Sequence, residues 1–294
     1  MSFNSDAVLP VGLQDVTGKL AEKRHTARAA FLNAATAAGF SLTIPPLLEF
    51  ADSSRDANAF MVMDPHSRAP MALRSDITPQ IMRLAATLLR NAPRPLKLCY
   101  AGDVLRSAGT ALRPERQFLQ LGAEIFGDTP AKALPAVLTL LSAVFARWGL
   151  PVTVDICFPG WLRGELKRLD AETAEAALKR KDFSALPPAV KTLASQLAAH
   201  TDVSSIPSGF DAETQSLLAG IKNLNLPGLT FTTDWLELDG FSFQTGLCFT
   251  IFNPAISGEI GRGGVYQTAT NNEHAAGFSV YLDPLLPYLG ASFA

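Results

Sequence analysis

The chain has 294 residues, 48% of them apolar and 18% charged, which suits one large globular domain or two ordinary ones and excludes an extended disordered chain. Twenty-five basic residues against 27 acidic ones leave a formal charge of -2. No global field draws in a polyanion, so nucleic-acid binding would need a local basic patch.

The N-terminal "MSFNSDAVLPVGLQD" lacks a basic stretch followed by an apolar run, so it does not read as a signal peptide. "TGKLAEKRHTARAAFLNAATAAGF" reads as a helix, with Thr17 as its cap, a stripe of Leu20, His25, Ala27, Ala30, Phe31 and Ala34, and Gly39 as its stop. "SLTIPPLLEF" reads as a short strand at a sheet edge, because Pro45 and Pro46 have no N–H to donate. "APMALRSDITPQIMRLAATLLR" reads as a strand and then a helix capped by Asp76 or Thr78, with Pro79 in its first turn. "PLKLCYAGDVLR" and "RQFLQLGAEIFG" form a predicted hairpin whose Arg-containing loop is too long for a tight turn.

A predicted helix, "TPAKALPAVLTLLSAVFARWG", and a strand, "LPVTVDICFPG", follow. The helix contains the longest uncharged apolar run, Ala133 to Ala146. It is shorter than the roughly 20 residues a membrane span needs and carries Pro135, so it reads as a buried helix of a soluble, cytoplasmic protein. From 161 to 226 the composition shifts to Ala, Lys, Glu and Leu with proline breaks, the pattern of a helical module inserted in a single core spanning 1–294. Its "LKRLDAETAEAALKRK" mixes both signs at helical spacing and reads as a solvated face. Strands resume in "GLTFTTDWLELDG", "FSFQTGLCFTIF", "GEIGRGGVYQ" and "AAGFSVYLDPLL". The expected class is α+β, a largely antiparallel sheet flanked by helices. "GRGGVY" lies between strands rather than between a strand and a helix, which argues against a Rossmann or P-loop site. Cys99, Cys157 and Cys248 are far apart among apolar neighbours, and His25, His66, His200 and His274 are dispersed, so no metal site is expected.

In order, "GFSLTIPPLLEF", "LRSDITPQIMR", "CYAGDVLR…RPERQFLQLGAE", "GRGGVY" and "GFSVYLDPLL" resemble the class II aminoacyl-tRNA synthetase core. Within that class the chain resembles histidyl-tRNA synthetase, and more closely the family of its non-tRNA relatives, the regulatory subunits of ATP phosphoribosyltransferase. The resemblance implies a site for an amino acid beside a nucleotide. Arg106 matches the arginine that contacts phosphate and carboxylate, a role guanidinium geometry suits. The glutamate that seats adenine is replaced by Ala108, which has no polar group. Arg113 and Arg116 are further cations of the same loop. The synthetase block Arg-Gly-Leu-Asp-Tyr-Tyr-Thr-Gly appears as "DGFSFQTG", so Asp239 stands for the activating arginine and reverses the local sign. Pro284 stands where another ATP-contacting arginine is expected, and no anticodon-binding domain follows.

The amino-acid side is better kept. The resemblance assigns Asp76, Gln120 and Glu124 to an ammonium cage, with Thr78 beside Asp76, and Tyr266 to the imidazole pocket. Phe243 and Gln244 replace the two tyrosines of the histidine block. Gln120 and Glu124 lie four apart, on one face of a strand. Read residue by residue, Asp76 serves equally as a helix cap, Glu124 as an edge charge and Tyr266 as core.

The resemblance implies a non-catalytic subunit without cofactor. It would activate the short catalytic subunit of ATP phosphoribosyltransferase and carry feedback inhibition by histidine in the first step of histidine biosynthesis. It would form a homodimer within a hetero-oligomer, with no membrane or tRNA partner. The competing expectations are an amino-acid-activating ligase and a tRNA-binding or kinase-regulating module.

Overall fold

A computed structural model describes residues 9–51, 58–110, 114–241, 244–268 and 272–290. In chain order the elements are α1 (Gly18–Ala37), β1 (Ser41–Leu42), β2 (Leu48–Phe50), β3 (Met61–Met63), β4 (Pro70–Leu73), α2 (Thr78–Ala86), β5 (Leu96–Leu105), β6 (Gln117–Phe126), α3 (Pro130–Trp148) and β7 (Val152–Cys157). They continue with α4 (Pro159–Arg168), α5 (Glu175–Lys179), α6 (Pro188–Leu197), α7 (Ala212–Lys222), β8 (Leu229–Thr233), β9 (Gln244–Phe252), β10 (Gly261–Gln267), β11 (His274–Tyr281) and a 3-10 turn at Asp283–Tyr288.

Among the described residues eight strands form one sheet in the order β1-β5-β6-β11-β10-β9-β7-β8. The β5/β6 hairpin and the pairs from β6 to β7 are antiparallel, while the outermost pairs, β1 with β5 and β7 with β8, are parallel. A parallel pair needs a crossover, and α4 to α7 supply the one between β7 and β8. The proline pair splits "SLTIPPLLEF" into β1 and β2, and β2 joins β4 and β3 in a separate three-stranded sheet.

Strand period sorts the sheet into two faces. Leu119, Leu121, Ala123 and Ile125 of β6, with Ala276, Phe278 and Val280 of β11, point into a core filled by Phe31 of α1 and Leu134, Leu138, Leu141 and Phe145 of α3. The helix α3 is long and apolar enough to span a bilayer by length and composition alone, but its apolar face is spent on this core. The alternate residues of β5, β6, β10 and β11 point to the other face. There Tyr100, Phe118, Phe126, Tyr266 and Tyr281 pack with Ile77, Ile81 and Ala85 at the start and along α2.

Two local expectations change. Thr17 precedes α1, but its side chain makes no capping hydrogen bond. The buried stripe of α1 is Ala27, Ala30, Phe31 and Ala35, leaving Leu20 and His25 exposed. The first turn packs little, so its apolar residue stays in water.

Candidate functional site

A cavity of about 420 Å³ opens on the α2 side of the sheet. Its floor follows from register. Glu124 of β6 pairs with Gly277 of β11, which pairs with Gly264 of β10. Two consecutive positions without side chains leave a trough beside a carboxyl. A methyl at Gly277 would overlap the Glu124 carboxylate, and one at Gly264, where φ is +147°, would come within 2.6 Å of the Cys248 Cα. One pleat away on one side, Gly122, Ser279 and Arg262 line up. On the other side the row is Phe126, Ala275, Tyr266 and Gln244.

Two polar clusters flank the trough. In the first, the Gln120 amide donates to Asp76 Oδ1 at 2.7 Å and to Ser279 Oγ at 2.8 Å, and its carbonyl accepts the Ile77 N–H at 2.9 Å. Asp76 Oδ1 also accepts the N–H of Thr78, the first residue of α2, at 3.0 Å; the cap position is Ile77 rather than the expected Asp76 or Thr78, and Asp76 faces the cavity from just before the helix. In the second, the Tyr266 hydroxyl donates to Glu124 Oε2 at 2.9 Å. The hydroxyls of Thr78, Tyr100 and Ser279 bridge the clusters, 2.7 to 3.2 Å from one another. The Thr78 hydroxyl reaches Glu124 Oε1 at 3.5 Å. Gly122 makes room for Tyr100, whose hydroxyl lies where a β-carbon would be.

Glu124 is 2% exposed. Burial pushes its carboxyl up to about 8; the Tyr266 hydroxyl opposes this, the Asp76 charge adds to it, and Thr78 opposes it weakly. Burial therefore keeps Glu124 mostly protonated at neutral pH. Burial, with the Glu124 carboxyl next, also raises the Tyr100 and Tyr266 hydroxyls well above the usual phenol range, so both remain neutral donors.

Sequence reasoning groups Asp76, Gln120 and Glu124 in one cage. In the structure Asp76 and Gln120 bond each other, while Glu124 sits with Tyr266 across the hydroxyl bridge. Four of the five amino-acid candidates, Asp76, Thr78, Glu124 and Tyr266, line one cavity, while Gln120 stands outside the lining and reaches it only through its bonds to Asp76 and Ser279. Arg106 lines it too, stacked on Phe118 and Tyr281 with its guanidinium carbon 4.9 and 5.5 Å from the ring centres. Arg116 instead donates to the carbonyls of Arg106 and Val11 and stacks on Phe60, outside the lining. Ala108 is exposed, Pro284 borders a different hollow, and Arg113 and Phe243 lie outside the described residues.

Arg262 was not singled out from sequence. Its guanidinium lies over Gly240, donates to the Asp239 carbonyl at 3.0 Å and pairs with Glu259. The sign reversal read at Asp239 is thus met locally by a cation from another strand. Burial alone would lower this guanidinium, but the Glu259 carboxylate more than offsets that and leaves it raised. Among the described residues no three His, Cys, Asp or Glu side chains gather as metal ligands.

A family model described as histidyl-tRNA synthetase matches residues 12–285. An ATP phosphoribosyltransferase regulatory subunit from Rhodospirillum centenum is 36% identical over 96% of this chain and 80% of its own length. The chain belongs to the ATP phosphoribosyltransferase regulatory subunits, within the histidyl-tRNA synthetase family.

Its fold agrees with that of regulatory subunits and synthetases alike. A regulatory subunit/histidyl-tRNA synthetase structure from Bacillus halodurans superposes with a TM-score of 0.81 at 22% identity, covering 99% of this chain and 85% of that one. A chain from an ATP phosphoribosyl transferase complex of Thermotoga maritima gives 0.69 at 21% identity, over 87% of this chain and 96% of that one. The class II synthetase-like α+β fold expected from the ordered motifs is therefore the fold of this regulatory subunit.

Proposed function

We propose that this regulatory subunit binds histidine in the β6–β11–β10 pocket and passes that occupancy to a separate short catalytic subunit. That subunit condenses ATP with phosphoribosyl pyrophosphate in the first step of histidine biosynthesis. In this reading the chain performs no catalysis of its own, raises the partner's activity and lowers it again when histidine is bound. The observation that carries the reading is the buried Glu124–Tyr266 pair at one end of a glycine-floored trough, with the Asp76–Gln120 cluster at the other. An ammonium suits the Asp76–Gln120 cluster, and an imidazole N–H suits the Glu124–Tyr266 pair. The cavity lies within the roughly 300–1,000 Å³ of small-molecule sites. Histidine regulates only if its affinity differs between two states of the complex, and a coupling of about 1–3 kcal/mol would be typical.

The test is calorimetric titration of the full chain with histidine, alone and with the catalytic subunit, repeated for Glu124→Ala. Binding that the substitution weakens supports the sensor. Activity of the complex that stays constant as histidine is added refutes the regulatory half.

One observation favours the ligase alternative: Arg106 and Arg262 both line the cavity, as an enzyme handling ATP would need. Ala108 and Pro284 supply no cation and stand outside the lining, which favours the sensor. Steady histidine-dependent ATP–pyrophosphate exchange by the chain would reverse the choice.

We also assign a homodimer to the apolar face around β1 to β4. Phe50 and Val62, 68% and 37% exposed, share one face of the small sheet through their common partner Met71, and Ile44 after β1 is 80% exposed. The helical stretch 161–226 is treated as a module inserted in this single core, and no tRNA partner is assigned to a chain of formal charge -2.

A further inference from the structure

Arg262 is the least expected group in the pocket. It leaves β10 at the position paired with Ser279, one pleat from the Gly277–Gly264 trough. Its guanidinium crosses the chain at Gly240, where φ is +76° and any β-carbon would collide with it. Nη1 donates to the Asp239 carbonyl at 3.0 Å, Nε pairs with Glu259, and the plane lies 5.1 Å from the Phe241 ring centre. These contacts fix the group before any ligand arrives, and its Nη2 has no hydrogen-bond partner among the described residues. Arg106 approaches the same cavity from the β5 side.

The charges on the lining come out even. Arg106 and Arg262 balance Asp76 and Glu259, with Glu124 held mostly neutral. A zwitterion preserves that balance, and a polyphosphate does not.

We propose that Arg262 is a specificity-determining residue that, with Arg106, receives the α-carboxylate of the bound amino acid. The proposal rests on the amino-acid reading of the pocket. It gives a cation from β10 the anion-holding task that Asp239 cannot perform. Ligands with the same ring and amine but no carboxylate are then bound weakly.

The test compares histidine with histamine, which lacks only the carboxylate, on the full chain with and without its catalytic subunit. Charge-assisted hydrogen bonds predict that the wild type prefers histidine by about tenfold to a hundredfold. Arg262→Gln should cut that preference to within about threefold while leaving histamine affinity unchanged, and Arg262→Lys should fall between. Unchanged histamine binding shows that the pocket still folds. If Arg262→Gln weakens both ligands equally, Arg262→Lys decides, since a carboxylate role requires it to recover histidine selectively. A preference that survives Arg262→Gln overturns the proposal and leaves the histidine site standing. A wild type that binds both ligands equally also overturns it. A wild type that binds neither removes the amino-acid site, and the proposal with it.

Discussion

Glu124→Gln tests whether the pocket keeps a protonated acid. The substitution retains size and an acceptor for the Tyr266 hydroxyl but removes the ionisable group. Burial lifts the Glu124 carboxyl from 4.5 to about 8 in the folded chain. Below about pH 4.5 the group is protonated folded and unfolded, and it costs nothing. Between the two values the unfolded chain gives up the proton and the folded chain keeps it. Stability therefore falls with rising pH, by at most about 1.4 kcal/mol per pH unit. Above about pH 8 the full cost is reached, on the order of 5 kcal/mol, comparable with the whole stability of a small domain. Urea unfolding of wild type and Glu124→Gln across a pH series measures the difference directly. Titrating groups not coupled to Glu124 contribute to both curves and cancel. We expect near-equal stabilities at about pH 4 and a variant several kcal/mol more stable at about pH 9. Parallel curves across the range would refute the reasoning, because Glu124 would then have the same proton affinity in both states.

Gly277→Ala places a methyl on the Glu124 carboxylate and within 2.6 Å of the Ala123 carbonyl oxygen, so strand and acid must both shift. We expect a loss of about 1–3 kcal/mol by thermal unfolding and loss of histidine binding by calorimetry. Ile44→Glu or Phe50→Glu sets a charge into the exposed apolar face and should convert a dimer to monomer in sedimentation equilibrium, with histidine binding to the monomer retained.

The long strands were legible because β5, β6, β9 and β11 each carry enough residues for their alternation to show. The three-residue β3 is too short for any period to appear, so the second sheet was missed. Asp76, Gln120, Glu124 and Tyr266 were singled out through ordered motifs, yet their division into two clusters was not. That division depends on Gly122, which lets the Tyr100 hydroxyl stand between Gln120 and Glu124. Arg262 lies 23 residues from the carbonyl it binds, and the contact arises from the crossing of β10 over the chain before β9. No local pattern encodes that distance. A glycine at 240 followed by an arginine beyond the next strand was the one available hint, and it has meaning only once the strands are paired.

The strand order has a consequence for how the protein is made. β6 is finished early in synthesis, but its second neighbour, β11, is encoded about half the chain later. Until β11 arrives, one side of β6 is a bare edge with a long row of unpaired N–H and C=O groups, open to pairing with another nascent chain. The pocket floor is made of that same late pairing, so a ligand lying across β6, β11 and β10 binds only the completed sheet. Such a ligand acts as a clasp on the last step of folding, and its abundance in the cell would bias how much of each new chain reaches the closed form.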